Sequence, residues 1–143
     1  MMFWDSSAII PLLLEEPQTK TMRGLVKRDG VLAAWWGSLI ECYSTLARLR
    51  REKILKTQEE DQVRRQLEQL ASHWIEILPS QEVKNIAARL LLRHPLHAAD
   101  SLQLAAALLW ADKTPLEHAF VCLDRKLREA ARQEGFTLLP IEA

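Results

Sequence analysis

Short apolar segments alternate with longer segments of helical periodicity, and this alternation restricts the fold more than any other feature of the chain. The predicted strands cover residues 2–5, 31–34, 74–78, 119–123 and 136–139. Strands that alternate with helices are typical of an α/β domain, in which helices cover a mostly parallel sheet. We therefore predict an α/β fold with a central sheet of about five strands.

The spacing of apolar residues also predicts the main helices. Residues 57–73 carry one apolar stripe, and Thr57 with Glu60 has the spacing of a capping box. A second helix should follow Ser80 and end before Pro95. Its inward residues should be Ile86, Ala87, Leu90 and Leu91. Residues 98–110 are apolar on nearly all sides, which predicts a central helix, and residues 125–134 should form a last helix that stops at Gly135.

Length and composition indicate a globular protein. A chain of 143 residues that is 48% hydrophobic and 27% charged suits one domain, which we expect to span residues 1–143. The longest apolar run, residues 104–111, is far shorter than the roughly 18 residues of a membrane span, and no signal-peptide pattern is visible. We expect a soluble, cytoplasmic protein with no membrane contact, in which Cys42 and Cys122 are reduced core residues.

Four acidic residues occupy positions that the fold should bring together. Asp5 and Asp124 follow the first and fourth predicted strands, and the carboxyl ends of parallel strands line the crevice where ligands bind. Glu41 and Asp100 lie in the first turns of predicted helices, which point back toward the same edge. Each acid also has a structural explanation: Asp5 and Asp124 as helix N-caps, Asp100 as the partner of a helix dipole. Glu41 with Ser38 has capping-box spacing.

The joint pattern favours a metal site. Several carboxylates in one pocket repel each other unless a cation is present, and oxygen ligands suit magnesium or manganese. Such a metal activates water and polarises a phosphodiester, so phosphodiester hydrolysis fits best. Nineteen basic and nineteen acidic residues leave no net charge, and any contact with nucleic acid must therefore be local.

Four segments of the sequence resemble PIN domains, especially VapC-type toxins. They are Phe3-Trp4-Asp5-Ser6-Ser7-Ala8, Ser38-Leu39-Ile40-Glu41, Ala98-Ala99-Asp100-Ser101-Leu102 and Leu123-Asp124-Arg125-Lys126-Leu127. The likeness runs over residues 2–140, in the family's order. One departure is Cys122, where a Ser or Thr is common, and this puts a supporting hydroxyl contact in doubt.

The resemblance implies an α/β/α sandwich and endonucleolytic cleavage of RNA with Mg²⁺ or Mn²⁺. Asp5, Glu41, Asp100 and Asp124 match the family's acidic positions and are the expected catalytic residues and metal ligands. The resemblance also implies a cognate antitoxin protein as partner, and a homodimer. A short neighbouring gene with a basic, Arg-bearing tail would favour the toxin role.

The sequence is also compatible with other functions. The chain could be an RNA-processing nuclease of the same fold without a toxin role, or a non-catalytic interaction protein that keeps the fold. A phosphatase or receiver domain is less favoured, because Ser6 and Ser7, not a second aspartate, follow Asp5. Trp35 and Trp36 could stack on bases but suit core or dimer packing better. The basic residues could track phosphates or form a solvated helix end. They are Arg48, Arg50, Arg51, Lys53 and Lys56.

Overall fold

A parallel five-stranded sheet forms the middle layer of the structure, a computed structural model that describes residues 1–142. The strands are β1 (Met2–Trp4), β2 (Leu32–Trp35), β3 (Ile75–Ile77), β4 (Ala119–Val121) and β5 (Thr137–Leu139). Their order in the sheet is β3-β2-β1-β4-β5, and every pairing is parallel. The predicted α/β fold with a parallel sheet of about five strands is confirmed.

Seven α-helices in residues 1–142 connect the strands. They are α1 (Ser6–Ile9), α2 (Thr19–Asp29), α3 (Ser38–Arg51), α4 (Thr57–Ala71), α5 (Gln81–Arg93), α6 (Ala98–Trp110) and α7 (Arg125–Gln133). Short 3-10 helices lie at Ile10–Leu12 and Pro115–Glu117. None of the helices in residues 1–142 combines the length and apolar character that a membrane span needs.

Alternate residues along each strand supply two separate cores. Phe3, Ala33 and Phe120 pack under α5, α6 and α7, whereas Trp4 and Val121 pack under α1 to α4. Helices cover both faces of the sheet at β1, β2 and β4, and these largely buried strands are apolar on both sides, whereas the edge strands β3 and β5 are partly exposed. The result is the predicted α/β/α sandwich. Cys42 and Cys122 are buried and free, one in each core.

Several local predictions need correction. The helix at 57–73 ends at Ala71, and its cap lies one residue earlier than expected: the backbone N–H of Lys56 donates to Glu59 (3.0 Å). Glu60, predicted as part of the capping box, is instead buried and pairs with Arg50 (2.8 Å). Leu91, predicted to face inward, is 44% exposed because α5 packs mainly against α6 through its other apolar residues.

The remaining predicted bounds differ from the observed ones by one or two residues. The predicted helix after Ser80 is confirmed, and the hydroxyl of Ser80 caps it by accepting from the N–H of Val83 (3.1 Å). The last helix ends at Gln133, just before Gly135, whose φ of 111° lies in the left-handed region that favours glycine. Trp35 belongs to the core, whereas Trp36 is 51% exposed.

Candidate active site

The strand order reverses between β1 and β4, the two neighbouring strands at the middle of the sheet. The chain builds outward from β1 through β2 to β3, then crosses to β4 and β5 on the other side. Open α/β sheets bind ligands beyond the carboxyl ends of the strands at such a switch point. Asp5 directly follows β1, and its N–H donates to the carbonyl of Val121, the last residue of β4 (2.9 Å).

Asp5 is held by three donors in a nearly water-free position. Its Oδ2 accepts from the hydroxyl of Ser7 (2.6 Å), the N–H of Ser7 (3.2 Å) and the thiol of Cys122 (3.5 Å). The Ser7 hydroxyl accepts in turn from the N–H of Leu123 (2.9 Å), which ties α1 to the end of β4. The expected N-cap role of Asp5 is therefore present, and at position 122, where a hydroxyl contact was in doubt, a thiol contacts Asp5 instead.

Glu41 stands in the first turn of α3, close to the end of β2. Its Oε1 accepts from the hydroxyl of Ser6 (3.2 Å), and its Oε2 accepts from the side-chain amide of Gln103 (2.9 Å). The alternative of a Ser38–Glu41 capping box is wrong, because Gly37 is the N-cap residue and Ser38 already lies inside the helix. The Glu41 carboxylate is thus directed to neighbouring elements and not to the backbone of its own helix.

Asp124 and Asp100 approach the site from the two helices on the other face of the sheet. Asp124 is the N-cap of α7, and its Oδ1 accepts from the N–H of Lys126 (3.1 Å). Asp100 lies in the first turn of α6, which His97 precedes at the N-cap position. Negative charge is favourable at both places because helix N-termini carry partial positive charge.

One cleft of about 330 Å³ brings the four predicted acids together. Its lining residues are Asp5, Ser6, Ser7, Ile10, Pro11, Glu16, Glu41, Thr45, Arg48, Asp100 and Asp124. Arg48 is the one basic residue of this lining, and it also pairs with Glu52 (3.5 Å). The cleft therefore brings five carboxylates together with a single basic side chain.

Burial and mutual repulsion oppose ionisation in this cleft. Burial raises the pKa of Asp5 from 3.8 to about 6, although the Ser7 and Cys122 hydrogen bonds oppose the rise and the Asp124 charge adds to it. Burial also raises the pKa of Glu41, with smaller contributions from the charges of Asp5 and Asp100. For Asp100, burial raises the pKa first and the charge of Asp124 second. A bound cation would reverse this balance.

The carboxylates of the cleft are the ligand type that a hard divalent cation prefers, but their present spacing is too wide to coordinate one. In residues 1–142 no group of three or more His, Cys, Asp or Glu side chains is arranged closely enough to hold a metal ion. Without a cation the carboxylates repel one another and turn to local donors, as the bonds of Asp5, Glu41 and Asp124 show. The donor set consists of carboxylates alone, which magnesium and manganese prefer.

Sequence reasoning missed the residues that hold the acids in place. Ser6, Ser7 and Gln103 bind Asp5 or Glu41 directly, and Glu16 adds a further carboxylate to the rim. The polar Gln103 in an otherwise apolar segment was a visible signal. Ser6 and Ser7 gave none, because a hydroxyl after a strand-end aspartate is equally typical of an ordinary helix start.

The fold and the acidic cleft define an α/β/α protein with a candidate metal site at the carboxyl edge of a parallel sheet. The family model of the PIN domain matches residues 2–133, and the chain belongs to the PIN domain family. No curated protein sequence matches the chain.

Two solved structures share the fold at low sequence identity. FitAcB from Neisseria gonorrhoeae is 18% identical, with a TM-score of 0.61 over 96% of this chain and 96% of the other. A structure of FitAB bound to an IR36 DNA fragment is 16% identical, with a TM-score of 0.63 over 97% and 94%.

Proposed function

We propose that this chain is a divalent-metal-dependent endoribonuclease and the toxin of a toxin–antitoxin pair. The observation that carries the proposal is the convergence of Asp5, Glu41, Asp100 and Asp124 on one cleft at the switch point of a PIN domain. Each acid comes from a different element, so no single capping requirement explains the set. The raised pKa values of Asp5, Glu41 and Asp100 fit a site that is completed by a cation.

In this proposal the four carboxylates would hold Mg²⁺ or Mn²⁺. The metal would supply a water of lowered pKa and charge stabilisation at the phosphodiester. The chain's own residues prepare the site: Ser7 and Cys122 orient Asp5, and Ser6 with Gln103 orients Glu41. Arg48, on the rim of the same cleft, can neutralise a backbone phosphate of the bound RNA.

The proposed partner is an antitoxin protein, and the proposed assembly contains a homodimer. The FitAB structure is one of a complex bound to DNA, and this supports a partner protein for the present chain as well. A cationic side chain of such a partner would balance the carboxylates of the cleft where a metal otherwise does. Because RNA is the proposed substrate, we expect the protein to act in the cytoplasm.

Substitution of Glu41 by Gln tests the nuclease proposal. Glu41→Gln keeps the size of the side chain and an oxygen that accepts from Gln103, so the free energy of unfolding should change little. Cleavage of RNA with Mg²⁺ or Mn²⁺ should fall about a hundredfold or more, as expected for loss of a charge that stabilises the transition state. Glu117→Gln is the matched control, because Glu117 is exposed and precedes β4 at the opposite edge of the sheet.

Gel assays on single-stranded RNA with and without a chelator complete the experiment. Wild type and Glu117→Gln should cleave only with the divalent ion present. Cleavage that persists after thorough chelation would contradict the metal mechanism, and full activity of Glu41→Gln would remove Glu41 from the catalytic set. A wild-type protein that cleaves no RNA with either ion would instead favour the non-catalytic interaction protein.

A further inference from the structure

Gln103 is a fully buried polar side chain in the most apolar helix of the structure. It is 0% exposed, and its neighbours Leu104, Ala105, Ala106 and Ala107 on α6 are also completely buried. An amide in such surroundings costs free energy unless its polar atoms find partners. The position therefore has a reason other than packing.

Both hydrogens of the Gln103 amide nitrogen are used on α3. Nε2 donates to the hydroxyl oxygen of Ser38 (2.8 Å) and to Oε2 of Glu41 (2.9 Å). The ionised carboxylate of Glu41 offers only acceptors, so the amide nitrogen, not its oxygen, must face it. Ser38 provides the second acceptor and thereby fixes the plane of the amide.

The other atom of the amide gains nothing from this arrangement. Oε1 of Gln103 is buried and has no hydrogen-bond partner within residues 1–142. A buried acceptor without a partner is unfavourable, and an apolar residue of the same length would avoid the cost. The fold thus tolerates an unsatisfied oxygen in Gln103, the side chain whose nitrogen contacts the candidate metal ligand Glu41.

We propose that Gln103 is a positioning residue that holds the Glu41 carboxylate at the mouth of the metal site; this inference rests on the proposed function. Gln103 binds one carboxylate oxygen from α6, and Ser6 binds the other from α1 (3.2 Å). A carboxylate accepts about four hydrogen bonds or metal contacts, so lone pairs remain for a cation. The two donors fix the direction in which those lone pairs point.

Gln103→Met tests the proposal because methionine keeps the length of the side chain and removes both donors. Binding of Mn²⁺ should weaken roughly tenfold, comparable to the loss of one hydrogen bond to a charged group. The unfolding temperature should change little, because removal of the unsatisfied oxygen offsets the loss of the donor to Ser38. Mn²⁺ titration followed by electron paramagnetic resonance and thermal unfolding without metal measure the two effects separately.

Two further variants separate positioning from a general disturbance of the core. In a Glu41→Gln background, Gln103→Met should have almost no additional effect on Mn²⁺ binding, since the residue it positions has lost its charge. Ser38→Ala combined with Gln103→Met removes both polar partners from the buried pair, and it should bind Mn²⁺ as weakly as Gln103→Met alone. The same double variant replaces Gln103→Met in the Mn²⁺ titration if the unpartnered hydroxyl of Ser38 makes Gln103→Met alone unstable.

The outcomes distinguish this inference from the proposed function. If the wild type binds no Mn²⁺, the metal site itself fails. If the wild type binds Mn²⁺ and Gln103→Met binds it equally well, only the positioning role is overturned. Equal losses with and without Glu41 would show that Gln103 acts independently of it, which also overturns the proposal, as would failure of both Gln103 variants to fold.

Discussion

Asp5 has to cap a helix and to carry charge, and only the first of these requirements is met without cost. Its pKa rises from 3.8 to about 6, so the folded protein binds the proton more tightly than the unfolded chain. The unfolded chain then ionises first as the pH rises, and stability falls between about pH 4 and pH 6. Since each unit of pKa difference corresponds to about 1.4 kcal/mol, the ionised Asp5 lowers the free energy of unfolding by roughly 3 kcal/mol at neutral pH.

Asp5→Asn should therefore stabilise the metal-free protein at pH 7 by about 2 kcal/mol and have little effect at pH 4. Asn is as good an N-cap as Asp, so the contact with the N–H of Ser7 is kept. Urea unfolding at the two pH values in the presence of a chelator measures the difference. An equal loss of stability at both pH values would contradict the raised pKa and leave Asp5 with a structural role alone.

At the scale of elements, the sequence predicts every strand and most helices but not the contacts between them. Period and composition identified α6 and the start of α5 after Ser80, because both signals are local. The predicted cap of α4 lies one residue too late in the chain, because the Glu60 carboxylate forms an ion pair with Arg50 of α3 and does not bind the start of its own helix. Such a choice depends on the distance between two helices, which no local pattern contains.

The candidate site follows the same division. Asp5 and Asp124 were predictable because they follow strands, and parallel strands end at one edge. The side chains that orient the acids come from elements far apart in sequence, as in the pair Gln103 and Glu41, which lie 62 residues apart. Their roles depend on packing between α3 and α6 and could not be deduced from spacing.

Helix α3 presents an acid, a hydroxyl and a cation to the cleft from one face. Glu41, Thr45 and Arg48 are spaced by four and three residues, so they lie in line along the helix. With a rise of 1.5 Å per residue, Arg48 stands about 10 Å along the helix from Glu41. In the proposed nuclease, this distance would place Arg48 beside a phosphate that neighbours the scissile one.

Arg48→Gln should weaken binding of single-stranded RNA several-fold at low salt. Because one phosphate contact is lost, the slope of log K against log salt should fall by about 0.7. Fluorescence anisotropy of labelled RNA in a chelator measures binding without cleavage, and Arg51→Gln on the exposed end of the same helix is the control. Equal effects of both variants would indicate a diffuse basic surface and not a defined phosphate contact.

The whole molecule has no net charge, yet it gathers acids in one cleft. The packing of both cores fixes the elements that carry these acids, so their repulsion is a cost to the folded state. An ion that binds the folded state alone repays that cost through linkage. Metal binding and global stability should therefore be coupled.

Mg²⁺ or Mn²⁺ at a hundredfold excess over its Kd should add about 2.7 kcal/mol to the free energy of unfolding and raise Tm by roughly 5–10 °C. The shift should be large at pH 7.5 and small at pH 5, where the raised pKa leaves Asp5 mostly protonated and the metal must displace that proton. Asp100→Asn should reduce the shift, whereas Glu117→Gln should preserve it. Thermal unfolding followed by circular dichroism, with and without the ion, measures all four cases. A Tm that does not respond to either ion would argue against a metal site, and equal shifts at both pH values would indicate binding to surface carboxylates outside the cleft.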